Sequence, residues 1–80
     1  PPAAHHLLAL ASNDPDELTL RQARLLGTAD VIIAGPEIAP AILARARADA
    51  QRLAPGDGGP LPAGAVVLEL RLARGAVTGS

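Results

Sequence analysis

At 80 residues the chain makes one small domain at most, and a domain of this size removes a smaller share of its surface from water than a typical one. Seven basic residues, all arginine, against eight acidic ones leave a net charge of -1, which gives no long-range pull toward nucleic acid or an anionic membrane, and no stretch is long and apolar enough to span a bilayer. The absence of cysteine excludes disulfides, a thiolate nucleophile and cysteine-ligated zinc; the absence of aromatics leaves a core of Leu, Ile and Val, because 18 of the hydrophobic residues are alanine.

Pro1 to Ala4 are expected to form an extended linker stub, and a chain that opens on Pro-Pro reads as a piece of a longer protein. The opening "PPAAHHLLALAS" lacks the basic start and the long apolar run of a signal peptide, so a cytoplasmic location is expected. His5 to Ala11, rich in Leu and Ala without polar alternation, predicts a short strand covered on both faces. Asp14 and Glu17 have the spacing of a capping box, with Pro15 at the first helical position. Thr19 and Gln22 repeat that spacing, which predicts a short helical turn followed by a longer helix. Its inner face would carry Leu20, Ala23 and Leu26 or Gly27, its outer face Arg21 and Arg24, and Gly27 would end it.

Asp30 to Ala34, "DVIIA", is a β-branched run bounded by turn residues and predicts a central strand, closed by Gly35-Pro36. Pro40 then opens "AILARARADAQRL", where Leu43, Ala46, Ala50 and Leu53 fall near helical spacing. Ala54 to Gly64 hold four glycines and three prolines in eleven residues and predict a loop. Ala65 to Leu72 alternate Glu69 and Arg71 against Leu68, Leu70 and Leu72, as a strand with one wetter face does. Ala73 to Ser80 are expected to fray, with the final Gly-Ser a cloning remnant. Strand, helix, strand, helix, loop, strand predicts a small α/β domain, three-layer-like, with a mostly parallel sheet of three or four strands, two helices and right-handed crossovers.

From Leu7 to Leu53 the sequence resembles the opening of the tetrapyrrole methylases, specifically the uroporphyrinogen III methyltransferase module of siroheme synthases. Asp14-Pro15, Leu18-Thr19-Leu20-Arg21, Arg24-Leu25-Leu26, Ala29-Asp30-Val31 and the Pro40, Ile42, Leu43 set carry the likeness without a gap. It implies a half domain of that fold, in residues 5–72, and a helix from Pro40 that ends near Ala48 with a short strand after it. It also implies an S-adenosylmethionine site at the turn after the first strand, and there the sequence departs. The family's three glycines stand here as Ala9, Ala11 and Asn13 and its proline as Ser12, followed by Asp14. A turn that lets backbone approach a ligand closely needs residues without a Cβ. The family's Tyr-Asp after the second strand is Ala34-Gly35, which takes an acidic side chain from the mouth of the cleft. The helix that follows in the family is replaced by the Gly/Pro loop, and the last strand ends "ELRLARGAV" without the family's Gly-Gly-Asp-Pro.

Other residues weigh toward structure. His5 and His6, as strand neighbours, face opposite sides and cannot ligate one metal together, so no metal is expected. Asp14, Asp16 and Glu17 suit capping and the helix dipole better than paired-carboxylate catalysis, and they repel an anion. Gly56-Asp57-Gly58-Gly59 lacks the Lys and Ser/Thr of a phosphate loop. Arg45, Arg47 and Arg52 are interrupted by Asp49 and have no aromatic partner for a base. The hydroxyls Ser12, Thr19, Thr28, Thr78 and Ser80 form no evident triad, so no catalytic residue is expected. The combined expectation is a truncated, degenerate methylase-like module. It would be a non-catalytic accessory part of a siroheme-synthase-type protein, with precorrin-2 dehydrogenase and ferrochelatase upstream. It would act in docking, dimerisation or stabilisation, with its parent protein or a second copy as partner and with no nucleic acid or membrane. The alternative is a minimal S-adenosylmethionine-dependent methyltransferase. Apolar surface is expected around Val66, Leu68 and Leu70, on the strand whose preceding helix is lost.

Overall fold

The computed structural model describes residues 4–57 and 61–77. Its elements in chain order are β1 (Ala4–Ser12), a 3-10 turn (Pro15–Glu17), α1 (Leu20–Thr28), β2 (Val31–Ala34), α2 (Pro40–Leu43), β3 (Gln51–Leu53) and β4 (Val66–Val77). The four strands form one parallel sheet in the order β1-β4-β2-β3. The expected small α/β domain is present, and the chain-final strand is the one inserted between β1 and β2.

Crossover handedness explains the layers. The connections β1 to β2 and β2 to β3 move the same way across the sheet, so right-handed crossovers place α1 and α2 on one face. Leu26 and Ala29 at the end of α1, with Ile38 and Ile42 around α2, pack there against Leu10, Ile32, Leu68 and Leu70. The β3 to β4 connection runs backward and must cross the other face. It is the Gly/Pro loop, and among the described residues it supplies Leu61 and Ala65 to a smaller cluster with Val31, Val67, Ile33 and Leu53. The sheet is thus thickly covered on one side and thinly on the other.

Several local expectations change in this context. β1 is an edge strand rather than one covered on both faces: Leu10 and Ser12 are buried, whereas His5, Leu7, Ala9 and Ala11 are exposed. β2 is interior as expected, with β4 and β3 as its neighbours. Leu68 and Leu70 are buried under the helices, so the wetter face of β4 carries Glu69 and Arg71 and the expected apolar patch is not there. β4 runs beyond Leu72 to Val77, where Ser12 pairs with Val77 after a register shift.

The capping box at α1 forms in full, Gln22 N–H donating to the Thr19 hydroxyl at 3.1 Å and Thr19 N–H to the Gln22 side chain at 2.9 Å. The inner face of α1 is rotated from the expected one. Leu20 is 78% exposed and Ala23 is exposed, while Leu25 and Leu26 turn to the core. Gly27 does not end the helix; it continues to Thr28, whose hydroxyl donates back to the carbonyls of Arg24 and Leu25. α2 is a single turn, far shorter than a helix reaching Ala48. Beyond Leu43 the chain goes on in short turns, Arg45 N–H donating to Ile42 and Ala46 N–H to Leu43. The short strand after it, β3, falls where the methylase-like register puts it.

Candidate functional site

In an open parallel sheet a ligand meets the loops at the carboxyl ends of the strands. Here these loops follow β1 at Ser12-Asn13-Asp14 and β2 at Gly35-Pro36-Glu37. Asn13 joins them. Its side-chain amide donates to the Glu37 carbonyl at 2.9 Å, and its side-chain oxygen accepts from the Ala39 N–H, also at 2.9 Å. Ala39 is the N-cap residue of α2, and Asn13 accepts from its backbone N–H from 26 residues away, the part that the N3 side chain plays locally in a capping box.

The neighbouring groups are also engaged locally. The Ser12 hydroxyl, almost fully buried, accepts from the Asp14 N–H at 3.1 Å. Asp14 in turn accepts from the Asp16 N–H at 2.9 Å and so caps the 3-10 turn, while Glu17 donates its backbone N–H to the Asp14 carbonyl. Asp14, Asp16 and Glu17 therefore do not converge as a paired-carboxylate site. After β2 the Glu37 carboxylate folds over Gly35, where a Cβ would collide with it. An acidic group thus stands beside Gly35, brought from two residues downstream. Ala9 and Ala11 point away from the helix-covered core on the exposed side of β1.

The other singled-out residues scatter. His5 and His6 lie on opposite sides of β1, and His5 approaches Glu69 at 3.5 Å. Glu69 also accepts from Arg71 at 2.7 Å, and the Arg71 guanidinium holds its carboxyl below the usual range. Arg45 pairs loosely with Asp16, and Arg52 donates to the Leu43 carbonyl. Among the described residues no group of three or more His, Cys, Asp or Glu is arranged to hold a metal. Thr78, Ser80, Gly58 and Gly59 lie outside the described residues.

Asp30 is the residue that sequence reasoning underrated. It sits at the start of β2, accepts from the Val66 N–H at 2.9 Å and from Arg47 at 3.0 Å, and uses its backbone N–H and carbonyl to bond Val66 and Gln51. One residue thereby ties the first residues of β2, β3 and β4. Its carboxyl is held below the ordinary range, first by the Val66 N–H and then by Arg47, which also forms a two-pronged pair with Asp49 at 2.9 Å. These groups line an open cavity of about 390 Å³ with Val31, Gln51, Pro62 and Gly64. That cavity is at the amino ends of the strands, away from the loops where an α/β sheet receives ligand, and its charged groups already satisfy one another. The only sequence signal for Asp30 was its place in the Ala29-Asp30-Val31 run.

The chain resembles a segment of siroheme synthase. It is 42% identical over 52 residues to the siroheme synthase of Pseudomonas fluorescens strain SBW25, covering 65% of this chain and 11% of that protein. It is 46% identical over 48 residues to that of Pseudomonas paraeruginosa strain PA7, covering 60% and 10%. It is 45% identical over 51 residues to that of Nitrosomonas eutropha strain C91, covering 64% and 11%. The chain thus spans about a tenth of the length of these relatives. No family model matches it, and no solved structure does. The likeness to siroheme synthase agrees with the methylase-like register read from the residues. Among the described residues no helix is long and apolar enough to cross a membrane.

Proposed function

We propose that this chain is a non-catalytic module of a siroheme-synthase-type protein in the cytoplasm, with a degenerate methyltransferase site, serving docking, dimerisation or stabilisation. The observation that carries the reading is the Asn13 bridge. Its side chain fills the gap between the loops after β1 and β2 and spends its polar groups on Glu37 and Ala39, so those groups are not free for a ligand. What supports the absence of S-adenosylmethionine binding is that Ala9, Ala11 and Asn13 carry side chains where the resembled family has glycines and close backbone approach needs none. The precorrin-2 dehydrogenase and ferrochelatase activities belong, on this reading, to the rest of the parent protein. No specific feature of the structure favours the alternative of a minimal methyltransferase.

Titration of the chain with S-adenosylmethionine, followed by backbone amide shifts, tests the reading. The expected result is no saturable shift up to millimolar ligand. Saturable shifts at Ala11 to Asp14 at sub-millimolar ligand overturn it.

A further inference from the structure

We propose that residues 44–53 are a two-state segment: the turns and short β3 of the structure, held by an Asp30–Arg47–Asp49 clasp, and a continuation of α2 into one helix from Pro40 to Leu53 when the clasp opens. The sequence favours the helix. Between Ala44 and Leu53 every residue but Asp49 is a good helix former, and no Gly, Pro or Asn interrupts the run before Pro55-Gly56. β3 itself reads Gln51-Arg52-Leu53, without a β-branched or aromatic residue, and of the three Leu53 alone is partly buried. α2 nevertheless stops after one turn. Its ladder passes from Ala44 N–H on the Pro40 carbonyl, four residues back, to Arg45 N–H on Ile42 and Ala46 N–H on Leu43, three residues back, and then leaves the helix with no terminating residue.

The clasp takes the place of that terminator. Arg47 donates through Nε and one Nη to both Asp49 oxygens at 2.9 Å, and through its other Nη to Asp30 at 3.0 Å. Residues two apart do not face each other on a helix, so the Arg47–Asp49 fork exists only in the non-helical form. Asp30 anchors the far end, because its second carboxylate oxygen accepts from the Val66 N–H and its carbonyl from the N–H of Gln51, the first residue of β3. Arg52 adds to the hold by donating to the Leu43 carbonyl at 3.2 Å, the acceptor that the Arg47 N–H would take in a continued helix.

The helical form has pairs of its own, which keeps the two forms close in free energy. On it Asp49 stands one turn from Arg45 and from Arg52. Leu43, Ala46 and Ala50 already pack on the main core and share a helical stripe with Leu53, so of these four Leu53 alone changes sides, leaving the thin-face cluster. A helix of this length is marginal in water by itself, so these few contacts decide between the forms. The consequence lies at the amino ends of the strands. The switch withdraws Arg47, Asp49 and Gln51 from the walls of the open cavity and bares the β2 edge that β3 covers. The cavity therefore belongs to one state, and whatever fills it holds β3 in place.

Nuclear magnetic resonance of the 80-residue chain reads the segment through its Cα shifts, and hydrogen exchange reads the Gln51 N–H. Arg47→Met removes the clasp at similar helix propensity, and Asp49→Asn removes the fork alone. Each should raise the helical population of residues 44–53 by roughly tenfold, move the shifts of Gln51 to Leu53 from strand toward helix, and speed exchange of the Gln51 amide. Ala48→Pro should lock the present form. Ala50 N–H donates to the Arg47 carbonyl, which puts Ala48 at the second position of a turn, where proline fits, whereas proline breaks a helix interior. Added to Arg47→Met, Ala48→Pro should therefore abolish the gain of helix, and Ala48→Gly, which weakens helix without fixing φ, should reduce it. The proposal is overturned if neither Arg47→Met nor Asp49→Asn gains helix, or if the gain in Arg47→Met persists unchanged with Ala48→Pro. None of these results bears on S-adenosylmethionine binding, so the module reading stands or falls separately.

Discussion

Replacing Ile32 by alanine should distinguish the two faces of the sheet. Ile32 has no solvent exposure and packs under both helices, whereas Ile33, one residue on, faces the thin loop layer and is only partly buried. Ile32→Ala removes roughly three methylene equivalents, or about 2.4 kcal/mol of transfer free energy at ~0.8 each. A residual cavity of roughly 50 Å³, at ~24 cal/mol per Å³, adds about 1.2 kcal/mol. The expected cost is therefore about 3.5 kcal/mol, against a total of about 4–12 kcal/mol for a domain of this size. Ile33→Ala leaves no closed cavity beneath so open a layer and should cost about 1–1.5 kcal/mol, less than its position in an interior strand alone suggests. Thr19→Ala, which breaks the capping box, should cost about 1 kcal/mol. With no Trp or Tyr in the chain, urea melts must be followed by far-UV circular dichroism rather than by intrinsic fluorescence. If Ile32→Ala is too unstable to measure, Ile32→Val, at about 0.5–1.5 kcal/mol, still ranks the site. An Ile33→Ala cost equal to that of Ile32→Ala, or a Thr19→Ala cost above it, would refute the assignment of faces.

Asn13→Ala should destabilise the chain by about 1–2 kcal/mol, since it orphans the partly buried Ala39 N–H, and the Ala39 amide should show the largest shift outside the β1 turn. Acid should lower the stability of the protein through Asp30 and Glu69. Both carboxyls are depressed in the folded state, so their contribution is present above the ordinary carboxylate range, about pH 4, and is lost as pH falls through the folded values. Asp30→Asn should lower stability at neutral pH and flatten that acid limb in a series of urea midpoints.

The start of α1, the β2 run, the Gly/Pro loop and the alternation of Glu69 and Arg71 were legible because each rests on groups close together in the chain. Thr19 meets Gln22 within one turn, and a β-branched run bounded by turn residues reports its own conformation. The methylase-like register also implied a short strand within Ala50 to Ala54, where periodicity alone preferred helix, and β3 at Gln51–Leu53 lies there. The order of the strands had no such local record. β4 enters between β1 and β2 through pairings of Ala4 with Val66 and of Val31 with Val67, across separations that no window of the sequence spans.

That insertion determined the rest. It left β1 with one neighbour, so an apolar run that read as doubly covered became an edge with Leu7 in solvent. It buried Leu68 and Leu70 under the helices and turned Glu69 to the thin side, because strand alternation assigns opposite faces but only the crossover hand says which face receives the helices. At the candidate site the sequence by itself disclosed a turn after β1, Ala11-Ser12-Asn13, that holds no glycine. Only the tertiary structure brought Asn13 to Ala39 and Asp30 to Val66, since a hydrogen bond across 26 or 36 residues exists only once the sheet has set those loops and strand ends side by side.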